Sequence, residues 1–341
     1  MKRLTQLWNE DYGVARSLEA ESWFRRLVNT HVLSTLMNTF PNATTKLFSH
    51  SSGELARRIF VEREGGSYRV LHAMYEYESP HHHGDFLNRV VMQSPAIKAA
   101  RNRRKIAQWM LGTCLKALPP GPPRLVMTIG GGDGLLEAEV ISRIAEPNVY
   151  YFGVDMDAQA AKDNCEVLEK HGLGKRGFTF TGSVSQRSDV EAVIEQASQK
   201  FGVRFDGVSV TVCQGLIEYI DMQSLDNENL FKMLRGIRDC TREDGGLLIS
   251  QTGFHDRVAY LEKGLQWYMR LRDSDEVARE LEKAGWQISI CEQEPMKQIT
   301  MCLATKSGVQ HWRIDSQSPL RQPHISRYVS PPSVRRRSRV H

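Results

Sequence analysis

The stretch Val126-Met127-Thr128-Ile129-Gly130-Gly131-Gly132-Asp133-Gly134 constrains the fold more than any other part of the chain. Its first residues make a short buried strand, and its glycines make a turn that side chains would obstruct. A helix then runs from Leu135 to about Glu146, with Leu135, Leu136, Val140, Ile141 and Ile144 on roughly one face. Strand, glycine turn and helix in that order bring backbone N–H groups and a helix N-terminus against a charged ligand. A second apolar run, Val149 to Val154, ends in Asp155. That acid lies about 20 residues beyond the glycines, where a doubly wound α/β fold places a carboxylate to hold ribose hydroxyls. The order describes a nucleoside site.

The glycine spacing separates the nucleosides. It is Gly130-x-Gly132-x-Gly134, with Leu135 where a dinucleotide fingerprint needs its third glycine, so NAD or FAD takes second place. Thr128 to Gly134, followed by Asp155, resembles the first two motifs of the class I S-adenosylmethionine (SAM) dependent methyltransferases. The resemblance implies SAM as cofactor, with Gly130, Gly131, Gly132 and Gly134 against its methionine part and Asp155, followed by Met156, at its ribose. One departure stands at Thr128, where the family usually has Asp or Glu. The contact of that acid to the SAM amino group must be absent or supplied from elsewhere.

Strand and helix continue to alternate after Asp155, which specifies a parallel sheet covered on both faces. The expected fold is α/β, a doubly wound Rossmann-like sheet of the class I methyltransferase type with an N-terminal helical cap. A strand at 177–181 ends in Gly182 and Ser183, which the resemblance places beside the adenine. The strand 205–213 ends in Cys213 and opens into Gln214-Gly215-Leu216-Ile217-Glu218-Tyr219. This strand end faces the reacting group, so Gln214, Glu218 and Tyr219 are the catalytic candidates and Cys213 a wall of the cofactor pocket. Desolvated, Glu218 suits a general base; the plainer role is a helix cap or a partner for an arginine. Asp244-Gly245-Gly246 leads into a strand at 247–252, and two last strands, 287–291 and 300–305, match the family's closing pair. Between them, Trp267-Tyr268-Met269-Arg270-Leu271-Arg272 and Ala284-Gly285-Trp286 resemble a little-studied bacterial subgroup of methyltransferase-like proteins.

Residues 1–95 read as a mainly helical cap, 96–306 as the SAM-binding domain, and 307–341 as a disordered Arg/Pro/Ser-rich tail. A helix starts at Ser94-Pro95 and ends before Pro119-Pro120-Gly121-Pro122-Pro123. Its basic run 101–105 reads as a solvated face, or, more sharply, as the source of Arg101 or Arg103 for the SAM carboxylate. His81-His82-His83 fits a solvated turn better than a metal site, and no metal is expected. Tyr75 and Tyr77 read as core residues, or as a ligand pair if that piece is extended. The six cysteines have no C-x-x-C pair, so neither zinc nor a disulfide framework is indicated.

The chain's net charge of +5 sits in the tail, where seven arginines against one aspartate leave residues 1 to 306 at −1. The body is therefore not built for nucleic acid. The expected partners are a small-molecule substrate, with no membrane, nucleic acid disfavoured and a homodimer as the candidate assembly; the expected location is the cytoplasm. Methyl transfer to a small metabolite is the first reading. A SAM-consuming enzyme that releases methylthioadenosine, for example by cyclising SAM to azetidine-2-carboxylate, is the second. A non-catalytic SAM domain using its arginine tail on nucleic acid is the third.

Overall fold

The computed structural model describes residues 18, 19, 22, 28–76, 85–222 and 226–307. Tyr77, the histidines at 81–83, most of the first helical stretch and the tail from 308 onward lie outside the described residues.

Seven strands form one sheet: β1 Arg124–Ile129, β2 Val149–Asp155, β3 Gly177–Thr181, β4 Val208–Cys213, β5 Thr241–Thr252, β6 Gln287–Gln293 and β7 Ile299–Thr305. Their order is β3-β2-β1-β4-β5-β7-β6. The first five are parallel, and β7 enters antiparallel between β5 and β6. This is the class I methyltransferase sheet that the resemblance implied. The chain order reverses between β1 and β4, and there a crevice opens at the carboxyl ends of the strands.

β1 shows why a near-continuous apolar strand is needed: it is buried on both faces. Leu125, Met127 and Ile129 join one core layer while Val126 joins the other, the period-two alternation of a strand. The first layer is completed by α8 (Arg187–Phe201), α9 (Glu228–Cys240) and α11 (Ser274–Lys283). The second is completed by α5 (Pro95–Ala117), α6 (Leu135–Ile144) and α7 (Ala158–Lys170).

The cap has its own core. Helices α1 (Ser34–Thr39), α2 (Pro41–Phe48), α3 (Tyr68–Glu76) and α4 (Phe86–Met92) and the helical stretch 54–61 surround Leu55, Ile59, Phe60, Val70, Met74 and Val91. This cluster also takes Ile97 and Ala100 from α5, and Tyr260 and Leu265 from α10 (Val258–Leu265). The cap is therefore finished by a helix from beyond β5, which its sequence position does not announce. No helix among the described residues is long and apolar enough to cross a membrane.

Three expectations are corrected. The basic run on α5 is not a solvated face, because Arg101, Asn102, Arg103 and Lys105 are all buried. Helix α5 is wedged between cap and sheet, so its polar groups need internal partners. Asn102 reaches Glu294 at 3.0 Å and Arg104 reaches Glu139 at 2.9 Å. The second correction concerns β5, which begins at Thr241 and so absorbs the Asp244-Gly245-Gly246 turn; a register irregularity against β4 accommodates it. The third concerns the cysteines. Cys291 and Cys302 face each other across the β6/β7 ladder and are disulfide-bonded, with Cα atoms 4.0 Å apart. Strand register, which sequence spacing does not reveal, makes that pair. The other four remain free thiols, three of them buried.

Candidate functional site

The glycine turn closes tightly on the sheet. Gly130, Gly132 and Gly134 have φ of +64°, +56° and +62°, a left-handed backbone that residues with a Cβ resist. The Gly132 N–H donates to Asp155 Oδ2 at 3.0 Å, and the Asp157 N–H donates to Oδ1 at 2.9 Å. A carboxylate oxygen accepts two hydrogen bonds, so each retains a lone pair for a ligand hydroxyl. The Gly182 N–H donates to the Asp155 backbone carbonyl at 2.8 Å, which sets the end of β3 beside this acid. Met156 and Ser183 are exposed at the same edge.

Helix α3 lies over the turn. A Cβ at Gly132 would stand 2.6 Å from that of Tyr68, while Tyr68 donates to Asp163 at 2.7 Å and His72 pairs with Asp133. Burial and Asp163 push the Tyr68 hydroxyl up to about 12. Gly132→Ala therefore adds both backbone strain and a collision, and is expected to cost about 2 kcal/mol or more, read as a lower thermal midpoint.

Beneath the turn, Thr128 is buried. Glu137, in the first turn of α6, is 3% exposed and lies against Thr128 with Asp133 nearby. An acid is thus present behind the turn, supplied by the helix where the strand lacks one. Its sequence signal is its place on the apolar stripe with Val140, Ile141 and Ile144. Burial pushes its carboxyl from 4.5 up to about 7. The folded chain then binds this proton more tightly than the unfolded chain, so stability falls as pH rises from about 4.5 to about 7. Glu137→Gln is expected to match the wild type near pH 4 and to exceed it at pH 8 by on the order of 3 kcal/mol, measured by urea unfolding at both pH values.

At the adjoining end of β4, Cys213 is buried and its thiol pushed up by desolvation, which suits a wall and not a nucleophile. Gln214 follows with both amide atoms buried and without partners among the described residues. Leu216 approaches the glycine turn: a Cβ at Gly130 would stand 3.3 Å from its Cδ1. Glu218, 1% exposed, accepts on Oε1 from the Thr252 N–H at 2.9 Å and the Thr252 hydroxyl at 2.8 Å. Its Oε2 is buried with no partner among the described residues. Tyr219 is 37% exposed, accepts from Trp267 Nε1 at 2.9 Å, and has its hydroxyl pushed up to about 12 by desolvation.

The 267–272 stretch holds this turn in place. Arg272, fully buried, donates to the carbonyls of Ile217 at 2.7 Å and Ile220 at 3.0 Å, and Arg270 donates to that of Asp221 at 2.9 Å. Guanidinium groups with several fixed donors suit such clamping. The W-x-M-R-x-R pattern thus serves to position Glu218 and Tyr219, a role that only the tertiary structure displays.

Glu218, Tyr219, Thr252, Arg103 and Gly215 border a cavity of about 900 Å³ between cap and sheet. Most of its wall is apolar, from Leu33, Met37, Phe60, Met74, Leu265 and others. His255 also lines it, pushed down to about 4 by burial and so neutral near pH 7. Arg101 does not reach this cavity's wall: it donates to Glu19 at 2.7 Å and to the Met92 carbonyl at 3.1 Å. Arg103, two residues on, does reach it, donating to the Tyr75 hydroxyl at 3.2 Å and lying against Gly215. Tyr75 itself is on helix α3, not in an extended segment. Among the described residues no group of His, Cys, Asp and Glu could hold a metal ion.

No protein-family model matches the chain, and no curated protein sequence matches it. Solved structures do. A possible exported protein from Bordetella parapertussis is 16% identical over 84% of this chain and 97% of its own, with a TM-score of 0.61. The citrinin polyketide synthase CMeT domain is 16% identical over 81% of this chain and 68% of its own, with a TM-score of 0.48. An O-methyltransferase family 2 protein from Planctomyces limnophilus, in complex with apigenin, is 14% identical over 80% and 96%, with a TM-score of 0.41. The first of these likenesses shows a shared fold.

Proposed function

We propose that this chain is a SAM-dependent methyltransferase acting on a small metabolite held between cap and sheet. One observation carries the reading. The glycine turn, locked to Asp155 through the Gly132 N–H, lies one strand from a β4 end where Gln214 and Glu218 Oε2 have no partner among the described residues. A buried polar atom without a partner calls for an explanation, and a bound ligand is one. The turn's own packing requires its glycines, because a Cβ at Gly131, Gly132 or Gly134 would collide with Thr128, Tyr68 or Asn164.

When bound, SAM supplies an activated methyl carbon beside a sulfonium. Asp155 would hold SAM by accepting from the ribose hydroxyls with its remaining lone pairs, and Gly182, Ser183 and Met156 would border the adenine. Cys213 and Gln214 close the wall between this site and the acceptor. Glu218 Oε2 takes the proton that the acceptor's nucleophilic atom gives up, and Thr252 holds the carboxylate's other oxygen in place. Tyr219, fixed by Trp267, orients the acceptor, and the apolar wall excludes water. No residue has to form a covalent intermediate. Arg103 is the cation placed to meet the SAM carboxylate, since Arg101 is committed to Glu19.

The decisive experiment incubates the protein with SAM, with and without a fraction of small metabolites, and identifies the adenosine by-product by mass spectrometry. Acceptor-dependent S-adenosylhomocysteine is expected. Methylthioadenosine released from SAM alone would replace methyl transfer with attack on the other carbon chain of the sulfonium.

A further inference from the structure

The acceptor cavity has a polarity of its own. Strong cations on its wall are Arg89, Lys98, Arg103 and Arg257, against a single carboxylate, Glu218. Arg103 donates to Tyr75, Arg257 donates to Ser34, and Arg89 is exposed. Lys98 differs: it is 4% exposed, lines the cavity, and has neither a hydrogen bond nor an ion pair among the described residues. A lysine with most of its surface enclosed in an apolar wall, and no counter-ion among the described residues, favours an anion supplied from outside the protein.

A second feature points to the same ligand chemistry. Ser94, Ala96 and Ile97, at the head of α5, line the same cavity as Lys98. This 23-residue helix begins with Ser94 as N-cap, yet the Ser94 side chain makes no capping bond. Its first-turn N–H groups have no intrahelical acceptor, and the helix dipole favours negative charge there. An unpartnered ammonium and an uncapped helix N-terminus thus border one apolar chamber.

We infer that the acceptor is an amphiphilic organic acid, with its anionic headgroup at Lys98 and the head of α5 and its apolar body in the chamber. The inference rests on reading this cavity as the acceptor site. Its test uses the whole chain and a matched pair of probes, decanoate and 1-decanol, titrated by calorimetry beside S-adenosylhomocysteine. A charge-assisted hydrogen bond predicts that decanoate binds about tenfold or more tightly than 1-decanol. Lys98→Met should bring decanoate to the level of 1-decanol while leaving 1-decanol roughly unchanged, and Lys98→Arg should keep the preference.

Equal binding of the two probes to the wild type, binding of neither, or a preference that survives Lys98→Met would overturn it. Should Lys98→Met not fold, the wild-type pair and Lys98→Arg still decide. The two readings fail separately. Loss of S-adenosylhomocysteine binding with decanoate preference intact sinks the methyltransferase and leaves the acid site. The reverse sinks the acid site alone.

Discussion

Glu218→Gln is expected to lower acceptor-dependent formation of S-adenosylhomocysteine by about 10²–10⁴-fold, the range of a lost general base. Glutamine is the informative replacement because its amide oxygen can still accept from Thr252, as Glu218 Oε1 does at 2.9 and 2.8 Å. The clamp by Arg272 on the flanking carbonyls is also untouched. What disappears is the proton acceptor at Oε2, which has no partner among the described residues. S-adenosylhomocysteine affinity should therefore stay within roughly twofold while kcat falls, the pattern of an interaction made in the transition state. Wild-type turnover by this variant would reduce Glu218 to an anchor for Thr252.

Asp155→Ala is expected to weaken S-adenosylhomocysteine binding by about 10²–10⁴-fold, measured by titration calorimetry. Two charge-assisted hydrogen bonds to ribose hydroxyls are lost, each worth about 1.5–3 kcal/mol. The glycine turn also loses the acceptor of the Gly132 N–H, so the cradle itself loosens. Asp155→Asn should fall between the two, since its amide oxygen can serve Gly132 or one hydroxyl but carries no charge. Affinity within threefold of the wild type for Asp155→Ala would remove the nucleoside from this strand end, and with it the proposed reaction.

The pH behaviour of the fold separates two buried groups. Glu137, pushed up to about 7, makes stability fall with rising pH above about 4.5. His255, pushed down to about 4, has the opposite sign: an unfolded chain protonates it near 6.5, so stability falls as pH drops from about 6.5 to about 4. The two slopes oppose each other between about pH 4.5 and 6.5. Only the difference between wild type and Glu137→Gln isolates the carboxyl, which is why that comparison is specified at pH 4 and pH 8.

Local sequence carried the turn and the order of the elements because both depend on neighbours in the chain. Glycines at 130, 132 and 134, the acid at 155 and the alternation of apolar strands with helices are all readable from spacing. Helix α5 shows where such reading stops. Its run 101–105 looks solvated because charge predicts exposure, yet the helix is enclosed by cap and sheet, and Glu19, Glu139 and Glu294 meet its polar groups across 82, 35 and 192 residues. Of the two candidates Arg101 and Arg103, it is Arg103 that reaches the cavity, a choice made by how the helix is rotated against Gly215.

The sequence by itself determined a doubly wound sheet with a glycine cradle and a carboxylate at neighbouring strand ends, because backbone conformation and strand-helix periodicity are local properties. The tertiary structure alone decided the rest. It brought Glu137 behind the turn in place of an acid at Thr128, paired Cys291 with Cys302, and used 267–272 to fix Glu218. It also joined α10 to the N-terminal helices so that a chamber of about 900 Å³ forms. Each of these depends on which surfaces pack together and on which buried charges must then find partners, and neither is written in the spacing of residues along one strand or helix.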